Sequence, residues 1–330
     1  MVYKNSQAKC NDPRCLFDRE NEILQPRFIK VTDVTREGRG LWESCAHCNL
    51  VINRVGVAPN EVINFYNSEY QNKNSFNFGE TINARQHFEI RINSIKPRAN
   101  FLYPFISKES IVFELGAGTG ELLALMKEKV RECHANELCQ EFVDFMNKEL
   151  KIIATSGDYL DFSPEEKWDL AISIGTLDHI YYTRKYIEKL FSDIKSGGLL
   201  YIEVPNDNQA LKTLLPGNNS DKFKEFMYQK AHYYSFTFKT LRKLLEEVGF
   251  SVENEFSRHD YSLLNFLNWY LVGKPQQSIS EAKSRSRIFS GSTEFESEIN
   301  KIMDDADKSF REIITKYKFG ESICMLARKL

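Results

Sequence analysis

Three glycines and three acidic residues at fixed spacing are the first candidates for chemistry. The run Glu114-Leu-Gly-Ala-Gly-Thr-Gly places glycines at 116, 118 and 120, around Ala117, with Glu114 two positions ahead of the first. It stands where an apolar stretch, Ser110-Ile-Val-Phe-Glu-Leu, gives way to a helical pattern. Glycine at such a point lets the backbone turn tightly and lets a ligand approach the main chain. A dinucleotide site places its third glycine one residue later, as G-x-G-x-x-G. A carboxylate here is unsuited to a pyrophosphate but suits a ligand with a cationic amino acid end. Glu137 closes the stretch His134-Ala-Asn-Glu, where a carboxylate at a strand end can accept from both hydroxyls of a nucleoside ribose. Asp158, in Ser156-Gly-Asp-Tyr, follows the next short strand and could accept from an adenine amino group. Each acid alone is more often a solvated surface residue. At successive strand ends beside the glycine turn, they outline a nucleoside site.

Four of the seven cysteines cluster before residue 50. Cys10 and Cys15 form a C-x4-C pair, and Cys45 and Cys48 a C-x2-C pair, with 29 residues between them. Each pair can supply two thiolates from a tight turn, and two pairs complete a tetrahedral zinc site. Such a site has no open position, so it would fold the head rather than catalyse. A head of about fifty residues buries little core, which is a physical reason for a metal staple. The competing reading is four unrelated thiols. An odd cysteine count with no export signal at the start argues against a disulfide framework. Cys133, Cys139 and Cys324 fall on elements expected to be buried and read as core.

The elements that would position these residues alternate. A helix over roughly 82–105 precedes the apolar run at 110–115. A helix at 120–130, a strand near 131–136, a helix at 139–149 and a short strand near 151–154 follow. Asp169-Leu-Ala-Ile-Ser-Ile is another strand, and helix 183–194 leads through Ser196-Gly-Gly into Leu199-Leu-Tyr-Ile-Glu-Val. Short buried strands alternating with amphipathic helices imply a parallel sheet covered on both faces. Helix 237–248 ends at Gly249, and Phe250-Ser-Val-Glu-Asn-Glu resumes a strand. Four segments emerge: a cysteine-bearing head at 1–58, a helix and linker at 59–80, an α/β domain over 81–257 and 318–330, and a polar helical insertion at 258–317.

Composition narrows the class. The chain has 330 residues, 42% of them hydrophobic and 27% charged, which is ordinary for a soluble globular protein. A net charge of −2 without a long basic block gives no argument for nucleic acid or an anionic membrane. No run of 18 or more apolar residues predicts a membrane span, so a cytoplasmic enzyme is expected.

The ordered pieces ELGAGTG (114–120), NEL (136–138), GDYLDF (157–162), WDLAISIGTLDHI (168–180) and KSGGLLYIEVPN (195–206) resemble the class I S-adenosylmethionine-dependent methyltransferases. The block HYYSFTFKTLRKLLEEVGF (232–250) is similar to the unit that follows in many bacterial methyltransferases of small molecules and sugars. The resemblance covers more than half the chain. It implies a Rossmann-like, seven-stranded, mostly parallel sheet with helices on both faces and with 322–329 as an antiparallel last strand. It implies cofactor contacts from Glu114, Gly116, Ala117, Gly118, Gly120, Glu137, Leu138, Asp158, Tyr159, Gly175 and Leu177. Cys45-Ala-His-Cys-Asn-Leu-Val, followed by Pro59 and Phe65-Tyr-Asn-Ser-Glu-Tyr, resembles the zinc-ribbon head that precedes many bacterial sugar methyltransferases. By that likeness Tyr66 and Tyr70 help shape a substrate pocket.

Methyl transfer from a sulfonium is an in-line displacement, so positioning supplies much of the rate. An oxygen nucleophile also needs a base or acceptor, and histidine titrates in the useful range. His179, in Thr176-Leu-Asp-His-Ile, follows the fourth strand. His232, in Lys230-Ala-His-Tyr-Tyr-Ser, precedes the late helix, with Tyr233 and Tyr234 beside it and Tyr228 just before as substrate candidates. Sugar C-methyltransferases with this head carry an acidic residue before that histidine and a second αβ domain at the C-terminus. Here Ala231 stands before His232, and only about sixty polar residues are inserted. The expectation is therefore O-methylation of a sugar or nucleotide sugar by S-adenosylmethionine, with a structural Zn2+. A C-methyltransferase of keto sugars is the alternative, and a homodimer is left open. From another class, a NAD-dependent oxidoreductase would need different glycine spacing. A nucleic-acid methyltransferase would need a basic patch and an N-P-P-Y/F-type tetrapeptide where Ile174-Gly-Thr-Leu stands.

Overall fold

The computed structural model describes residues 15–17, 28–58, 61–62, 82–284 and 287–330, together with the backbone of strands β1 (Lys9–Cys10) and β2 (Ile23–Leu24). The remaining strands are β3 (Phe28–Thr35), β4 (Gly38–Cys45), β5 (Val51–Asn53), β6 (Ile111–Leu115), β7 (Glu132–Asn136), β8 (Ile153–Thr155), β9 (Trp168–Ile174), β10 (Ile194–Pro205), β11 (Tyr234–Ser235), β12 (Phe250–Arg258) and β13 (Ser322–Lys329). The α-helices are α1 (Ala84–Leu102), α2 (Glu121–Met126), α3 (Gln140–Phe145), α4 (Thr183–Asp193), α5 (Ala210–Leu214), α6 (Gly217–Met227), α7 (Phe238–Val248), α8 (Leu263–Val272), α9 (Ile279–Lys283) and α10 (Glu294–Lys316).

The chain divides into two compact units. One comprises Val57–Val204, Arg242–Asn254 and Met325–Leu330; the other comprises Met1–Gly56, Pro205–Leu241 and Glu255–Cys324. The seven-stranded sheet has the order β12-β13-β10-β9-β6-β7-β8. Its stretch from β10 to β8 is parallel throughout. The interior strand β6 is buried at all five positions, as expected for a strand covered on both faces. Phe113 in β6 stacks on Trp168 at 4.9 Å and on Tyr159 at 5.0 Å. These aromatic contacts fix the register of the layer from which the ligand-facing loops emerge.

Helix α1 begins at a capping box, with Asn83 accepting from Gln86 N and the Gln86 side chain accepting from Asn83 N. Its lower end is tied to β10 by a bidentate pair between Arg98 and Glu203, both nearly buried. Tyr201 also donates to Glu203. The helix expected over 139–149 is α only to Phe145 and continues as a π turn, Met146–Leu150. The strand expected from Leu199 already starts at Ile194, with a register shift between Ile194 and Leu199 that a bulge accommodates.

In the other unit, β11-β5-β4-β3 form a four-stranded sheet. Trp42 of β4 packs on Tyr228, whose hydroxyl donates to Asp207 at 2.7 Å. The Arg36 guanidinium donates to the Phe226 carbonyl and lies over its ring. Residues expected as a separate head and as a separate 258–317 insertion thus fall, with 205–241, inside one unit. Among the described residues no helix is long and apolar enough to cross a membrane.

Candidate active site

Four parallel strands end on the same side of the sheet, and the loops after them are tied to one another. Gly116 N and Ala117 N both donate to the carbonyl of Asn136, the last residue of β7. Asn136 Nδ2 reaches on to the Gly157 carbonyl at 3.1 Å, and Glu137 N donates to the Thr155 carbonyl. Gly175 N donates to the Glu203 carbonyl. The glycines are required by geometry. Gly116 has φ of +70°, and a β-carbon there would fall 2.3 Å from Thr176 Oγ1. Gly120, with φ of +82°, caps α2.

These loops and α1 enclose a cavity of about 380 Å³. That is within the range of small-molecule sites. Glu114, Gly116, Ala117, Gly118, Glu137, Leu138, Asp158, Gly175 and His179 all line it. Three expected cofactor contacts do not. Gly120 sits behind the turn as a helix cap. Tyr159 is fully buried with its hydroxyl on Asp193 at 2.6 Å. Leu177 is buried, and its carbonyl accepts from Thr183. In each case the residue supports a wall of the site from behind.

The electrostatics of the cavity are lopsided. Glu114 is 5% exposed, and its Oε2 has no hydrogen-bond partner. Burial first, and then the charge of Glu121, push its carboxyl well above the usual carboxylate range, while Arg91 pulls the other way. Glu137 accepts from Gly118 N at 2.9 Å and from Cys139 N at 3.0 Å. Burial raises its pKa, and those amides lower it. Among the described residues that line the cavity, Arg91 alone is an arginine or lysine. Its Nε lies 3.4 Å from Glu121 Oε1, and its side chain remains about half exposed. A buried carboxylate oxygen without a partner beside an accessible guanidinium matches the two charges of an α-amino acid. The sequence reading missed Arg91 and its neighbour His87. Their four-residue spacing, continued by Ile95, was the available signal, because it places all three on one face of α1.

His179 lines the cavity, with its Nε2 3.6 Å from Asp178 Oδ2. Asp178 is buried and its carboxyl is raised by that burial, against the pull of His179. His232, Tyr233 and Tyr234 belong to the other unit. There the His232 carbonyl accepts from Asn53 Nδ2 at 2.8 Å, and both tyrosine rings are buried. Tyr66, Tyr70 and the side chain of Cys10 lie outside the described residues.

The cysteine head brings three of its four expected ligands together. The Cys15 and Cys45 thiols hydrogen-bond to Cys48, and these contacts with burial hold the Cys48 thiol far above its usual range, while Leu50 N pulls it down. Cys45 N donates to the Leu50 carbonyl, and Asn49 takes a left-handed conformation between them. The result is a tight turn that offers two sulfurs.

A family model described as a methyltransferase domain matches residues 87–255. No curated protein matches the chain. Among solved structures, the chain is similar to a SAM-dependent methyltransferase from Archaeoglobus fulgidus, at 17% identity over 74% of this chain and 97% of that one, with a TM-score of 0.46. It is similar to magnesium protoporphyrin IX methyltransferase from Synechocystis PCC 6803 with bound SAH, at 15% identity over 60% and 92%, TM-score 0.45. A third similarity is to a putative sarcosine dimethylglycine methyltransferase from Galdieria sulphuraria, at 17% identity over 73% and 85%, TM-score 0.43.

Proposed function

The chain belongs to the methyltransferase-domain family, an enzyme family that uses S-adenosylmethionine, and on that premise we propose that it O-methylates a sugar or a nucleotide-linked sugar. The observation that carries the cofactor half is Glu114 Oε2, buried and without a partner in a cavity that also holds Arg91. Bound S-adenosylmethionine supplies a sulfonium methyl for in-line displacement. Glu114 would face its ammonium group and Arg91 its carboxylate. Glu137 would accept from the ribose hydroxyls, and Asp158 from the adenine amino group. Gly116 and Gly118 keep the turn free of side chains where the ligand passes.

His179 is the first candidate to take the proton from the acceptor hydroxyl, because it lines the cavity and its Nε2 lies 3.6 Å from the buried Asp178 carboxyl. His232 is the second. Tyr66, Tyr70, Tyr233 and Tyr234 remain proposed contributors to the acceptor side. The sugar assignment rests on the likeness of the cysteine head and of residues 232–250 to sugar methyltransferases, and Ala231 favours oxygen over carbon as the methylated atom.

The head is proposed to hold a structural zinc through Cys15, Cys45 and Cys48, with Cys10 as fourth ligand. The donor set fits that ion, since three thiols already meet and one backbone amide points at Cys48. The function is tested by incubating the protein with methyl-labelled S-adenosylmethionine and a panel of nucleotide sugars. Label recovered in a methyl ether is the expected result. Label on carbon would replace the acceptor assignment with the keto-sugar alternative, and transfer to no sugar would remove it.

A further inference from the structure

Asp158 carries a contact that the assignments above leave unused. It caps the 3-10 turn Tyr159–Asp161, its Oδ1 accepting from Leu160 N at 2.8 Å. The same oxygen accepts the hydroxyl of Tyr186, which stands in the first turn of α4. Both residues line the cavity. Among the described residues, the hydrogen bonds that Asp158 accepts fall on Oδ1. Two donors from different elements therefore hold one oxygen of an otherwise exposed carboxylate. Burial and the neighbouring Asp158 push the Tyr186 phenol above its usual range, so it remains a donor at neutral pH.

We infer that Tyr186 is a positioning residue for nucleobase selection: by holding Asp158, it makes that carboxylate a fixed acceptor that admits a 6-amino purine and disfavours a 6-oxo purine. The inference rests on the reading that this cavity takes the adenosyl group of the cofactor. A 6-amino group donates to a carboxylate. A 6-oxo group presents a second acceptor, so the pair is left with no proton between its oxygens. A carboxylate free to rotate can turn away from that mismatch and relieve it. One held by both Leu160 and Tyr186 cannot, and the mismatch is then charged to the ligand. Tyr186 thus bears on the difference between two ligands more than on either alone.

The test is calorimetric titration of the full chain with S-adenosylhomocysteine and with its 6-oxo analogue, S-inosylhomocysteine. The wild type, Tyr186→Phe and Asp158→Asn are compared. Phenylalanine keeps the ring and removes only the hydroxyl. The wild type is expected to prefer the adenosyl ligand by about 10–100-fold, the range of one charge-assisted hydrogen bond. Tyr186→Phe is expected to cut that preference by about fivefold to tenfold, on the scale of one ordinary hydrogen bond, chiefly through tighter binding of the 6-oxo ligand. Asp158→Asn, whose amide can donate to a 6-oxo group, is expected to abolish the preference. Equal weakening of both ligands in Tyr186→Phe overturns the inference, as does a wild type that binds both equally. Failure of the cofactor reading looks different: the wild type then binds neither ligand.

Discussion

Replacing Glu114 by glutamine separates stability from binding in this fold. The side chain is buried near the end of strand β6, and its Oε2 has no partner. Leaving a buried acceptor unsatisfied costs about 1–3 kcal/mol. Burial raises the carboxyl's folded pKa above its ordinary 4.5. The sign follows from linkage. A group that binds its proton more tightly when folded favours the fold at low pH. That contribution is fully present below the unfolded pKa of 4.5 and is lost as pH rises through the raised folded pKa. Glu114→Gln should therefore leave stability unchanged in acid and increase it at neutral pH by up to about 1–3 kcal/mol. The cofactor's ammonium group should feel the reverse, since a charge-assisted contact of about 1.5–3 kcal/mol is lost, or about 10–100-fold in affinity. Urea unfolding from pH 4 to 8 reads the first effect, and calorimetry with S-adenosylhomocysteine reads the second. A variant that binds within twofold of wild type and is less stable at pH 7 would refute both halves of the reasoning.

Arg91→Met should weaken S-adenosylhomocysteine by about tenfold or more through loss of the carboxylate contact, while 5′-methylthioadenosine, which lacks that carboxylate, binds as before; calorimetry with both ligands checks it. Cys48→Ser should lower zinc content from about one ion per chain toward none, measured by elemental analysis, and should lower the thermal midpoint. Arg98→Met strands the nearly buried Glu203 and should cost about 3–5 kcal/mol in urea unfolding. The double variant Arg98→Met with Glu203→Leu should recover most of that loss.

Local signals carried much of the site. Glycines at 116, 118 and 120 all take positive φ, and Thr176 and Met146 crowd the first and the last of them, so their spacing is readable without coordinates. Glu114, Glu137 and Asp158 were legible because each falls at or just after the end of a short strand, and strand ends are where ligands collect in such sheets. Tyr159 and Leu177 were misread because lying next to a ligand-facing position does not reveal which way a side chain points. Tyr159 turns inward to stack on Phe113 and reach Asp193. Arg91 was missed because it lies on a helix ahead of the motif and enters the cavity only through tertiary packing. The grouping of the head with 205–241 was invisible for the same reason. Its contacts, such as Arg36 on the Phe226 carbonyl, join residues 190 apart in the chain, and no local periodicity records them. Strand β4 and helix α6 escaped notice because their apolar residues are too sparse to set a period, and helix α5 because five residues are too few to show one.

The most direct test of the central claim is calorimetric titration of the intact protein with S-adenosylhomocysteine, and separately with NAD. Micromolar binding of the first, lost in Glu137→Ala, with none of the second, is the predicted result. Binding of NAD without binding of S-adenosylhomocysteine would contradict the account.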